Sequence, residues 1–113
     1  MEVLKNVVQC IDDAKVKAIK IYETKSITPF FDYVIVGTAN STRQLRTAVE
    51  RIKKDSGEKK YNIRGIEGTR GGYWALIDIG DVLVNVFLQE EREKYDLDKL
   101  WKDLPQIDIN NLL

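Results

Sequence analysis

The sequence predicts a mixed α/β domain, a single sheet with helices packed on it, in the order α-β-β-α-β-β-β-α. Three observations lead there. Residues 73–88 hold two apolar runs split by a Gly-Asp pair, residues 33–36 form a β-branched run typical of a buried strand, and apolar residues spaced by three and four flank them. A length of 113 residues suits one domain with its own core. We place the domain at residues 1–101 and a C-terminal tail at 102–113.

Val3, Leu4, Val7, Val8, Ile11 and Ala14 recur at helical spacing, with Glu2, Lys5, Asn6, Gln9, Asp12 and Asp13 on the other side, so the chain opens with an amphipathic helix. Residues 18–22 alternate around Ile19 and Ile21 as a short strand, and residues 24–31, with Pro29, form a loop. Tyr33-Val34-Ile35-Val36 reads as a strand buried on both sides, ended by Gly37 and Thr38. Asn40 or Ser41 caps a helix over residues 42–55 that buries Leu45, Ala48, Val49 and Ile52, and Ser56-Gly57 stops it. Residues 61–66 form a third strand, and Gly68, Gly71 and Gly72 make a flexible approach to the hairpin.

The pair Gly80-Asp81 suits a two-residue turn, because glycine reaches positive φ without strain. That turn sets the register. Ile79 faces Val82, Ile77 faces Val84, Ala75 faces Val86 and Tyr73 faces Leu88, an apolar set for the core. The other face pairs Asp78 with Leu83, Leu76 with Asn85, and Trp74 with Phe87. It mixes large apolar groups with polar ones, the composition of a binding hot spot, and either remains open to a partner or is covered by a helix or a second copy. Helical spacing returns over residues 91–101, where Leu97, Leu100 and Trp101 pack on the sheet or touch a partner, and Arg92 and Tyr95 read as surface groups among Glu90, Glu91 and Glu93. The tail over residues 105–113 is expected to be loosely attached.

Composition excludes several chemistries. Eighteen basic and eighteen acidic residues cancel, leaving no broad field for nucleic acid, and no sequence-specific nucleic-acid binding is expected. There is no histidine and a single cysteine, Cys10, so zinc clusters, Ser-His-Asp and Cys-His sites are absent and no metal or cofactor is expected. Cys10 reads as a small core or subsurface residue. The sequence has no basic-then-apolar leader pattern and no run of eighteen apolar residues, which predicts a cytoplasmic protein without membrane contact.

Two motifs resemble chemistry. G-T-A-N-S-T-R-Q sits between a strand and a helix, where Ser41 and Arg43, with Arg70 from the glycine loop, either meet an anion or do no more than cap and solvate the helix. Asp78 and Asp81 bracket the turn and with Glu67 suggest a magnesium site, but the tight bend separates them and no lysine or histidine completes it. A small nucleotidyltransferase-like enzyme using Asp78, Asp81 and Ser41 is the alternative to a non-enzymatic binding protein.

Residues 32–44, D-Y-V-I-V-G-T-A-N-S-T-R-Q, then E-G from Glu67, W-A-L-I-D-I-G-D-V-L-V-N-V-F, and E-x-R-E-x-Y-x-L-x-x-L-W follow one another as in a known family. The chain resembles the Iojap or ribosomal silencing factor family over residues 1–101. The resemblance implies a topology related to nucleotidyltransferases without their catalytic apparatus. It implies binding to the fourteenth universal protein of the large ribosomal subunit, at the joining face, so that the small subunit cannot dock and translation falls in starvation or stationary phase. It also implies a homodimer as a second use of the hairpin face. The expected contacts are Trp74, Leu76, Asp78, Asp81, Leu83, Asn85, Phe87, Arg92 and Tyr95. One departure stands out: where the family usually has histidine after G-D-V, this chain has Asn85, which donates and accepts hydrogen bonds but does not titrate near neutral pH.

Overall fold

The computed structural model describes residues 2–113. Its centre is β2 (Tyr33–Ala39), whose seven residues are all buried. β2 is the inner strand that the run Tyr33 to Val36 predicts. It pairs in parallel with β5 (Val82–Leu88) and antiparallel with β1 (Lys17–Glu23). β5 pairs antiparallel with β4 (Trp74–Ile79), and β4 with the three-residue β3 (Gly65–Glu67). The result is a mixed sheet, as expected, but with six strands in the order β3-β4-β5-β2-β1-β6.

The sixth strand corrects the reading of the tail. β6 (Gln106–Ile107) pairs with Tyr22 and Ile21 of β1, a 3-10 turn follows at Ile109–Asn111, and Leu112 is buried in the main core. Pro105 begins the attachment through its carbonyl, which accepts from the Glu23 N–H at 2.8 Å.

One sheet face carries α1 (Glu2–Asp13) and α2 (Thr42–Lys59). Leu4, Val7, Val8 and Ile11 of α1 and Leu45, Ala48, Val49 and Ile52 of α2 meet Ile35, Ile77, Val84 and Val86 in one core. Ser41 is the N-cap of α2: its Oγ accepts from the Gln44 N–H at 3.1 Å, and Gln44 Oε1 accepts from the Asn40 N–H. Gly57 does not stop the helix. α2 runs through it to Lys59, because Ser56 is buried against the sheet side, and it ends where Lys60 turns left-handed at φ 60°. The chain then needs residues 61–64 to return, so the third strand keeps only Gly65–Glu67.

The hairpin register is as read, from Trp74 opposite Phe87 to Ile79 opposite Val82. Gly80 takes φ 66° at the turn. Tyr73, by contrast, lies outside β4 and is exposed, with only its carbonyl bonded to the Leu88 N–H. The glycine approach is pinned rather than flexible: Arg46 donates to the Thr69 and Arg70 carbonyls at 3.1 and 2.8 Å, and Thr42 Oγ1 donates to the Gly72 carbonyl at 3.0 Å. The helix expected over residues 91–101 is two short ones, α3 (Gln89–Tyr95) and α4 (Leu97–Leu100), broken by Asp96 at φ 41°. Among the described residues, no helix is long and apolar enough to cross a membrane.

Candidate functional site

The sheet face away from α1 and α2 holds the mixed hairpin set. It is covered unevenly. Tyr22, Val34, Val36 and Phe87 are buried there under Leu97, Trp101 and Leu104, so the chain's own C-terminal segment closes half of the face. Trp74, Leu76, Asp78 and Leu83 remain half-buried, and Tyr95 stands at the boundary, 46% exposed. Of the two readings the sequence left open for this face, helical cover holds for part of it, and what stays partly exposed is a platform of Trp74, Leu76, Leu83 and Tyr95.

Trp74 is fixed from several sides. Its indole N–H donates to Asn85 Oδ1 at 3.0 Å, and Asn85 Nδ2 donates to the Ile35 carbonyl at 3.3 Å. Its ring stacks on Phe87 at 4.7 Å and meets Tyr95 at 4.8 Å with a 41° tilt. Each such ring pair adds roughly 0.5–1.5 kcal/mol beyond burial, so Trp74 is presented in one pose before any partner arrives. Asn85 and Phe87 are almost wholly buried, at 1% and 0% exposure. Both are closed to direct contact with a partner.

The charged candidates separate. Asp78 accepts from Arg64 Nε at 3.2 Å and ion-pairs with Nη2 at 3.1 Å, while Arg64 Nη2 also donates to the Gly80 carbonyl at 2.7 Å. Asp81 is exposed at the turn, and its carbonyl accepts from the N–H groups of Asp32 and Tyr33. Arg92 corrects the surface reading: its side chain is only 11% exposed. It donates to Asp98 at 3.0 and 3.2 Å, to Thr38 Oγ1 at 2.9 Å, and to the Ala18 carbonyl. Tyr22 Oη donates to the same carboxylate at 2.5 Å. Burial works against ionised Asp98, but the hydrogen bonds from Arg92 and Tyr22 outweigh it and hold the carboxyl below its usual range. Burial, reinforced by the bond to Asp98, pushes the Tyr22 phenol up.

Ser41, Arg43 and Arg70 do not join this platform. β2 runs from the Asp81 end of the sheet to the Ser41 end, so Ser41 and Asp81 lie roughly 20 Å apart along the strand. The Ser41 hydroxyl is engaged in capping, and Arg43 and Arg70 are exposed. Asp78, Asp81 and Ser41 therefore do not converge as one catalytic site. Among the described residues, no group of three or more His, Cys, Asp or Glu is placed to hold a metal ion.

The family model described as ribosomal silencing factor during starvation, RsfS, matches residues 1–113. The chain belongs to the RsfS family. A ribosomal silencing factor RsfS of Halalkalibacterium halodurans is 33% identical over 112 residues, 99% of this chain and 96% of that protein. The Bacillus subtilis protein of the same name is 32% identical, covering 96% and 92%. A crystal structure of a Chromobacterium violaceum protein superposes with a TM-score of 0.86 at 35% identity, over 89% of this chain and 84% of that one.

The RsfS match includes the last dozen residues, which the resemblance over residues 1–101 leaves out. Sequence reasoning also missed Tyr22, Thr38 and Asp98 as parts of the site. Only Asp98 left a local trace, lying in the Y-D-L-D-K-L stretch where Asp96 caps α4 by accepting from the Lys99 N–H at 3.2 Å.

Proposed function

We propose that this chain binds the large ribosomal subunit through the Trp74–Leu76–Leu83–Tyr95 platform, docking on the subunit's fourteenth universal protein, and that it keeps the small subunit from joining. The carrying observation is Trp74, half-buried, hydrogen-bonded by Asn85, stacked on Phe87 and in tilted contact with Tyr95. A large ring held in one pose at the centre of an apolar platform is the usual form of a binding hot spot. The names of the relatives supply the partner class.

The mechanism is steric. The body measures 34 × 33 × 25 Å, so a chain standing on the joining face holds the two subunits apart by far more than the roughly 4 Å of an atomic contact. No bond is made or broken. The exposed Asp81 and the Arg64-paired Asp78 at the platform's rim favour a partner with basic residues there. The factor acts in the cytoplasm, with the ribosomes, and lowers translation in starvation or stationary phase.

Cosedimentation with isolated large subunits and light scattering of subunit joining test this reading. The wild-type chain should cosediment and slow joining. Trp74→Ala, folded by circular dichroism, should lose on the order of 2 kcal/mol of affinity, about thirtyfold. Absence of wild-type binding refutes the reading, and unchanged affinity of folded Trp74→Ala refutes the platform. A second copy on the same face would show as a dimer by sedimentation velocity, broken by Trp74→Ala.

A further inference from the structure

We propose that Arg92, Asp98 and Tyr22 form a clasp that positions Tyr95 against Trp74, so that these three act as positioning residues of the docking platform without touching the partner. This inference rests on the reading of the platform as the ribosome-binding surface.

The segment that carries Tyr95 has little of its own to fix it. No residue of α3 or α4 is buried. Trp101 meets Tyr22 in a tilted contact at 5.8 Å, Leu97 and Leu104 are half-buried, Tyr22 bonds Asp98, and the broadest polar tie of the segment to the sheet is Arg92. Its guanidinium bonds the Ala18 carbonyl of β1, Thr38 of β2 and Asp98 of α4, three elements with one group. A rigid planar fork with several donors sets direction as well as distance, which a lysine would not.

The backbone bends to make these bonds available. Ala18 sits at φ 51°, in a break of the β1–β2 ladder between Lys17 and Lys20. That break leaves its carbonyl for Arg92. Asp96, at φ 41°, folds α4 back so that Asp98 meets Arg92 while Tyr95, the last residue of α3, meets Trp74. Left-handed non-glycine residues are costly, and both of these stand at the clasp. Tyr95 itself is half open to solvent, against Trp74 and Phe87 and with the Lys94 ammonium 5.5 Å from its ring centre. Those contacts hold only while the segment that carries the ring stays in place.

The test uses the full chain. In the free protein, NMR should show ring-current shifts on Tyr95 from Trp74, and Asp98→Asn should remove them while the sheet amides stay in place. Asp98→Asn should weaken large-subunit binding about tenfold, and Tyr95→Ala by a similar factor. The double variant should bind within about twofold of Tyr95→Ala alone, because the clasp acts through that ring. A purely structural role predicts multiplied losses instead, which would overturn the inference. Should Asp98→Asn unfold, Tyr22→Phe removes one clasp bond more gently, and about threefold weaker binding, again absent in a Tyr95→Ala background, supports the same conclusion. Wild-type binding with unaltered ring-current shifts and affinity in both clasp variants overturns the clasp alone. A wild-type chain that does not bind large subunits refutes the ribosome reading, and with it the role of the clasp in docking.

Discussion

Asn85→Ala probes the link between core and platform. Asn85 is 1% exposed and joins the Trp74 indole to the Ile35 carbonyl with bonds of 3.0 and 3.3 Å. Losing two buried hydrogen bonds costs about 1–3 kcal/mol. The void left by the amide, smaller than the one left by a leucine truncated to alanine, adds about 1 kcal/mol. A total near 3 kcal/mol corresponds to a fall in Tm of about 12 °C for a domain of this size. Urea unfolding followed by tryptophan fluorescence measures it, and the emission of Trp74 should shift to the red as its indole meets water. A loss under about 1 kcal/mol with unchanged emission would show that Asn85 does not hold Trp74, and the account of the platform would fail.

Gly68→Ala should cost more than about 3 kcal/mol or prevent folding, since φ is 83° and an added Cβ would fall 1.8 Å from the Trp74 carbonyl oxygen; an unchanged Tm contradicts it. The Cys10 thiol is pushed up to about 11, by burial first and by the Asp55 charge next, so at pH 8 about one thiol in a thousand is ionised. A disulfide reagent should therefore label native protein roughly a hundredfold more slowly than unfolded protein, and equal rates would refute this. The folded-state pKa of Asp98 is depressed, so the stability its clasp supplies is present above the unfolded carboxyl value near 3.9 and is lost as pH falls through the lower folded value. Urea midpoints between about pH 2 and 6 should decline less steeply in Asp98→Asn than in the wild type, and parallel curves would show that the clasp carries no such linkage.

What the sequence shows depends on how far a signal has to reach. The hairpin register was legible from Trp74 to Val82, Tyr73 excepted, because alternation and a Gly-Asp turn are local and together specify register. The α1 and α2 stripes were legible for the same reason. Gly57 misled because the packing of Ser56 carries the helix on to Lys59, a tertiary effect that outweighs the cost of one glycine. Arg92 among glutamates resembles any solvated face; only the fold brings Thr38, Ala18 and Asp98 around it. β6 is two residues long and has no pattern to read, because its existence depends on the open edge of β1. Trp74, Leu76 and Leu83 share one face as the hairpin register requires, but which of them stay open depends on a C-terminal segment whose path the sequence does not reveal.

The pairing of Ile21 with Ile107 joins two segments far apart in the chain. A sheet built in this way cannot be finished as it is made: β1 emerges early and keeps this edge bare until residues 106 and 107 arrive. A chain released short of residue 106 would carry that edge permanently. It would be sticky toward other strands and a ready target for proteolysis. The two-residue β6 thus shields the part of β1 beside Ile21 and Tyr22, and its loss would leave that stretch of edge open to strand pairing.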